Sequence, residues 1–140
     1  QSYLPLRKIG SRMINKSIKV TAAVIRNNNG DILLCQRPEN KKHGLLWEFP
    51  GGKVEPKETN VDCLIRECKE ELGVTIDVIE PYDTVSGDGI TLMFFIAKIH
   101  EGNITKYEHK ETRWVKPKDV KLYELCPNDR RMVQNHPDLF

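Results

Sequence analysis

Gly52-Lys53-Val54-Glu55-Pro56-Lys57-Glu58-Thr59-Asn60-Val61-Asp62-Cys63-Leu64-Ile65-Arg66-Glu67-Cys68-Lys69-Glu70-Glu71-Leu72-Gly73-Val74 is the most densely patterned run of this chain. Thr59, with Asp62 three residues on, has the form of a capping box. Val61, Leu64, Ile65, Cys68 and Leu72 then recur at helical spacing until Gly73 stops the run. The pattern predicts one amphipathic helix. Glu67, Glu70 and Glu71 stand at i, i+3 and i+4, on an arc of roughly 100° away from the apolar face. Like charges so placed weaken a bare helix by some tenths of a kcal/mol per pair, and they sit near the C-terminal end, where the macrodipole disfavours anions. Two readings follow: a solvated acidic face with Arg66 and Lys69 as counter-charges, or a site for a hard divalent cation, which takes oxygen ligands and bridges carboxylates to phosphates.

Upstream of this run, residues 18–26 and 31–36 are apolar and flank Asn27-Asn28-Asn29-Gly30, which reads as a hairpin. Residues 38–44 are polar and basic, a loop, and the apolar stretch 45–49 is broken by Pro50-Gly51-Gly52. Downstream, residues 75–85 and 90–99 read as strands joined at Ser86-Gly87-Asp88-Gly89, residues 113–115 as a short last strand, and a second helix opens near Pro127-Asn128-Asp129. Strands, helix, strands and helix in that order predict an α+β fold, a mixed sheet covered by helices.

The chain has 140 residues, enough for one domain with a continuous core. Its 22 basic and 20 acidic side chains nearly cancel, so overall charge proposes neither a nucleic-acid polymer nor a membrane as partner. No apolar run is long enough to span a bilayer and no signal-peptide pattern is visible, which predicts a cytoplasmic protein. Cys35, Cys63, Cys68 and Cys126 lack any C-x-x-C spacing and read as buried reduced thiols. Residues 1–12 read as a tag or disordered arm before Met13, leaving 13–140 as the single domain.

The run quoted first resembles the Nudix box, G-x5-E-x7-R-E-U-x-E-E-x-G-U, where U is aliphatic. It matches from Gly52 through Glu58, Arg66, Glu67, Glu70, Glu71 and Gly73 to Val74, with Cys68 standing at one aliphatic position. The resemblance implies a Nudix-type α/β/α sandwich and settles the choice between the two readings of the acidic face in favour of metal. It implies metal ligation by Glu67, Glu70 and Glu71, with the Gly51 carbonyl as a further ligand, and it implies Mg²⁺ as the cofactor, with Mn²⁺ as a substitute. One glutamate, Glu67 or Glu70, also prepares the attacking water. Arg66 supports that catalytic set by pairing with Glu58 and Glu70.

Trp47-Glu48-Phe49-Pro50-Gly51-Gly52-Lys53 is similar to the MutT-type triphosphatases, so the resemblance covers roughly residues 19–133. It implies a phosphate-binding Arg37, Lys53 as a second phosphate contact, Glu48 in the substrate site, and Glu108, six residues before Trp114, as a further metal ligand or base with His109 a lesser candidate beside it. Asp129 falls where those enzymes read the base edge, and Phe49 and the strand around Phe94 complete the base site; Asn128 and Asp129 also suit helix capping. The implied activity is hydrolysis of (d)NTPs to (d)NMP and pyrophosphate, a nucleotide-pool sanitising reaction favouring 8-oxo-dGTP or cytidine triphosphates. Its partner is the nucleoside triphosphate alone, on a monomer or homodimer. The alternatives are hydrolysis of another nucleoside diphosphate derivative and a non-catalytic nucleotide-binding regulator. Asp88-Gly89 and Thr91-Leu92 stand where ADP-ribose and dinucleoside polyphosphate hydrolases carry a proline and a tyrosine.

Overall fold

A computed structural model describes residues 17–140 throughout and, before them, the backbone of two short strands, β1 (Leu6–Ile9) and β2 (Arg12–Asn15), paired antiparallel. The expectation of a tag or disordered arm over residues 1–12 otherwise falls outside the described residues. The domain proper is built on β3 (Ile18–Ile25), a central strand flanked by β8 (Ile90–Glu101) in parallel and by β6 (Gly51–Lys53) antiparallel. Strand β7 (Thr75–Gly87) closes the far edge against β8, giving the order β6-β3-β8-β7. A second sheet has the order β5-β4-β9, from β5 (Trp47–Glu48), β4 (Ile32–Gln36) and β9 (Glu111–Val115).

The β7–β8 connection is a two-residue turn in which Asp88 (φ 54°) and Gly89 (φ 77°) are both left-handed, the geometry that matches strand twist in a hairpin. The hairpin expected between residues 18–26 and 31–36 forms only at its tip. Asn27 Oδ1 accepts from the N–H groups of Asn29 and Asp31, and a single bridge joins Arg26 to Ile32. Beyond that the strands part, because β6 and β8 already take both edges of β3 and β4 must pair elsewhere.

Helix α1 (Asn60–Leu72) begins and ends as the sequence predicts: Thr59 Oγ1 accepts from Asp62 N–H at 3.1 Å, and Gly73, left-handed at φ 71°, returns its N–H to the Lys69 carbonyl. Alternate residues of β3 feed two cores. Ala23 and Ile25 pack with Leu64, Cys68 and Leu72 of α1, while Ala22 and Val24 pack with Phe94, Met132 and Phe140 beneath α2 (Pro127–Asn135). That places one helix on each face of the main sheet, the α/β/α sandwich. All four cysteines are buried and unpaired. Among the described residues no helix is long and apolar enough to cross a membrane.

Leu72, fully buried where α1 meets the sheet, is a sensitive point of this packing. Leu72→Ala should cost about 2–5 kcal/mol through lost burial and the cavity left behind. A urea melt with an unchanged slope and a lower midpoint is the expected result.

Candidate functional site

Strand β6 lies so close to its neighbours that its glycines are required. A Cβ on Gly51 would overlap the Thr21 carbonyl of β3, and one on Gly52 would overlap the Glu67 carboxylate. The first obstacle is backbone and the second the end of a flexible side chain. Gly51→Ala should therefore lower stability, whereas Gly52→Ala should leave the fold intact and displace Glu67. A thermal melt beside a turnover assay separates the two, and equal loss of both properties in both variants contradicts the packing described.

Arg66 is the hub of the helix's acidic face. Its Nε and Nη2 donate to the two oxygens of Glu58 at 2.7 and 2.9 Å, its Nη1 donates to Glu67 at 2.9 Å and to Glu70 at 3.2 Å, and Nη2 also reaches the Lys53 carbonyl. The bidentate pair holds the Glu58 carboxyl down at about 2, chiefly through the Arg66 hydrogen bonds. Burial lifts Glu67 above its ordinary value against the pull of Arg66, with Glu70 and Glu108 adding repulsion.

The three glutamates do not converge on one point. Glu70 stays 54% exposed beside Arg66. Glu71, one position further round the helix, turns inward beneath β6, where its Oε2 accepts from Gly51 N–H at 3.1 Å and its Oε1 lies 3.8 Å from His109 Nε2. Burial, then the repulsion of Glu48, Glu67 and Glu108, raises Glu71 well above the carboxylate range. On the far side of His109, Glu48 Oε2 lies 3.0 Å from the same Nε2, and Glu48 Oε1 accepts from Arg37 Nη1 at 3.0 Å. Arg37 also donates from Nε to the Lys42 carbonyl at 2.8 Å, fastening the loop 38–44.

Phe49 and Asp129 add an aromatic ring and a buried acid to the site. Phe49 packs edge-on to Phe94, with ring centroids 5.9 Å apart, and its N–H donates to Asp129 Oδ2 at 3.0 Å. Neither Asn128 nor Asp129 caps α2, in contrast to what their residue types suit: Pro127 opens the helix after Cys126 without a side-chain cap, and Asn128 Nδ2 reaches across to the Gly87 carbonyl. Asp129 is 2% exposed. Burial, and secondarily the nearby Glu48, pushes its carboxyl up to about 8, so at neutral pH it is largely a neutral acid.

These groups line one cavity of about 480 Å³, a size suited to a small-molecule ligand. Of the residues singled out in the sequence, Arg37, Glu48, Phe49, Gly51, Lys53, Glu67, Glu71, Glu108 and Asp129 line it; Arg66 stands behind it, and Glu70 faces solvent beyond Arg66. Phe94 does not line the cavity and supports Phe49 from behind, with Leu92 at the wall instead. Leu92 sits two residues before Phe94 on the same face of β8, a period-2 signal that was available in the sequence. Lys41 and Lys42 also line the cavity, although the sequence marked their segment only as a polar loop.

The donor set suits a hard cation: Glu67, Glu71 and Glu108 bring oxygen donors to one cavity, and the first two are raised by burial and by neighbouring carboxylates, a penalty that a dication would relieve. Among the described residues no group of three His, Cys, Asp or Glu side chains is already gathered as a metal cage. Arg66 donates to Glu67 and Glu70, and the Gly51 N–H donates to Glu71, which fixes the rotamers of the three carboxylates. Two carboxylates are enough for an ion that keeps several waters.

The model of the NUDIX domain family matches residues 16–136 of this chain. The chain belongs to the Nudix family. The CTP pyrophosphohydrolase of Escherichia coli K12 is 40% identical over 123 residues, covering 85% of this chain and 90% of that protein. An 8-oxo-dGTP diphosphatase of Proteus vulgaris is 36% identical over 98 residues, or 67% and 88% of the two chains. In structure, the solution structure of the E. coli ORF135 protein superposes with a TM-score of 0.74 at 34% identity, covering 95% of each chain. The α/β/α Nudix fold and the MutT-type resemblance are thereby established, and the protein is a Nudix hydrolase. Nudix hydrolases generally work with a divalent cation, which agrees with the oxygen-rich wall formed by Glu67 and Glu71.

Proposed function

We propose that this Nudix hydrolase cleaves nucleoside triphosphates to the monophosphate and pyrophosphate in a Mg²⁺-dependent reaction, Mn²⁺ serving as a substitute, with 8-oxo-dGTP and cytidine triphosphates as the leading substrates. The observation that carries this reading is the composition of the cavity wall, which combines the carboxylates Glu67, Glu71 and Glu108 and the cations Arg37 and Lys53 with Phe49, Leu92 and a buried Asp129. The charged side chains suit the phosphates of a triphosphate, and Phe49, Leu92 and Asp129 suit its base.

In this reading Glu67 and Glu71, with Glu108, Glu70 and the Gly51 carbonyl, would hold the metal, which would lower the charge on the polyphosphate and acidify water. Arg66 locks the rotamers of Glu67 and Glu70, so that their oxygens need not reorganise during reaction. Glu67, part-buried on the cavity wall beside Arg66, takes the proton from the attacking water; Glu70, the other glutamate considered for this role, stands outside that wall. Lys53 and Arg37 receive phosphate oxygens. As a neutral acid, Asp129 offers one O–H donor and one acceptor, the same pair that asparagine offers, and so meets either the N4–H and N3 of cytosine or the N7–H and O6 of 8-oxoguanine. The similarity to a CTP pyrophosphohydrolase and to 8-oxo-dGTP diphosphatases supports the same two bases.

The test is a kcat/KM panel with Mg²⁺ over CTP, dCTP, 5-methyl-dCTP, 8-oxo-dGTP and the ordinary dNTPs, scored by pyrophosphate release. One of the two leading classes should exceed the ordinary purine triphosphates by about tenfold or more, and chelation of the metal should stop the reaction. Release of orthophosphate alone, or no turnover of any triphosphate, contradicts the reading.

A further inference from the structure

We infer that His109 is a positioning residue, whose buried imidazole fastens the loop bearing Glu108 to Glu48 and sets the place of Glu71. The inference rests on the site proposed above. Within residues 101–110 His109 is the one buried residue, 3% exposed at its side chain, while Glu108 before it and Lys110 after it are exposed. A polar ring turned inward from an otherwise solvated loop needs a partner. Its Nε2 has two within reach, Glu48 Oε2 at 3.0 Å and Glu71 Oε1 at 3.8 Å, while Nδ1 is buried with none.

A buried bare lone pair costs less than a buried N–H without an acceptor, so in the neutral ring the proton belongs on Nε2, where it is donated to Glu48. Glu48 then accepts from both sides: Oε1 takes Arg37 Nη1 and Oε2 takes His109. Two loops that edge the cavity are thus tied to one carboxylate of β5. The loop backbone is already anchored on either side of His109, where Tyr107 N–H donates to the Glu71 carbonyl at 3.2 Å and Lys110 N–H to the Gln36 carbonyl at 2.9 Å. Between those anchors the imidazole decides how far Glu108 leans over the cavity. It also lies between two carboxylates, the half-buried Glu48 at 3.0 Å and the buried Glu71 at 3.8 Å.

A core histidine that only fills space would affect stability and leave turnover alone. The experiment compares His109→Ala and His109→Gln in the full chain, with Glu48→Gln and the Glu48→Gln/His109→Ala double variant, using the best triphosphate from the panel. Expected for His109→Ala is a fall in kcat of about 10–100-fold with KM within about threefold, the size of effect seen when an outer-shell partner is removed. His109→Gln, whose amide can donate to Glu48, should recover most of the loss. The double variant should lose no more than the worse single, since both changes break the same bond. Hydrogen exchange gives a readout independent of turnover: the Tyr107 and Lys110 amides should exchange faster in His109→Ala and not in His109→Gln.

The inference is overturned by a folded His109→Ala with unchanged kcat, by a His109→Gln that loses as much as His109→Ala, or by losses that add in the double variant. Should His109→Ala not fold, His109→Gln against the wild type decides, because full activity supports the donated bond and a loss of tenfold or more refutes it. If the wild type turns over no nucleotide, the proposed function fails by itself, and the exchange of the two amides still decides whether His109 holds the loop.

Discussion

Glu67→Gln is expected to lower turnover by about 10³-fold or more while leaving the melting temperature at neutral pH unchanged or slightly higher. The two halves of this expectation have separate causes. Turnover falls because an amide oxygen is a poor ligand for a hard cation and cannot take a proton from water. Stability holds because the carboxylate of Glu67 is already penalised by burial and by Glu70 and Glu108, so removing its charge relieves repulsion, and the amide oxygen can still accept from Arg66. The measurements are single-turnover kinetics with Mg²⁺ and a thermal melt without it. A variant that keeps wild-type kcat removes Glu67 from the metal set, and a melt lowered by many degrees makes its role structural.

The second large effect belongs to Asp129. Its carboxyl is raised to about 8 in the folded protein, from an ordinary value near 3.8, by burial first and by Glu48 second. Across that window the folded state holds a proton that the unfolded state has released. The protein therefore loses stability as pH rises from about 4 to about 8, and above that the contribution is flat. Asp129→Asn cannot ionise and keeps an oxygen for the Phe49 N–H, so its stability should gain on that of the wild type across the same window, by on the order of 1 kcal/mol for each pH unit. Asp129→Ala leaves that buried N–H unpaired and should be destabilised by about 1–3 kcal/mol near pH 4. Urea midpoints at four or five pH values decide the matter: a constant difference between the wild type and Asp129→Asn would show that the carboxyl ionises alike in both states. In the nucleotide panel, Asp129→Asn should retain turnover, since it offers the same donor and acceptor to the base, and Asp129→Ala should lose base discrimination.

Most of the scaffold could be read from the chain because its signals are local. The cap at Thr59, the stop at Gly73, the apolar period of α1 and the Asp88-Gly89 turn each depend on residues within a few positions of one another, and all are present in the structure. The 3.6-residue period likewise fixes which side of the helix carries Glu67, Glu70 and Glu71. It does not fix where their carboxylates end. Glu71 turns inward to the Gly51 N–H of β6 and toward His109 of the β8–β9 loop, while Glu70 stays out beside Arg66.

By itself the sequence determined the helix with its caps, the side of it that carries three glutamates, and the family spacing from Gly52 to Val74. Only the tertiary structure decided that β3 and β4 separate into different sheets, that Asp129 bonds to Phe49, and that Glu48 meets His109. The reason is range. A hydrogen bond such as that from Phe49 to Asp129 joins positions 80 residues apart, and no periodicity within one element specifies which edge of another it will meet. That choice is made by the packing of both cores at once, where each strand takes the edge that its neighbours leave open.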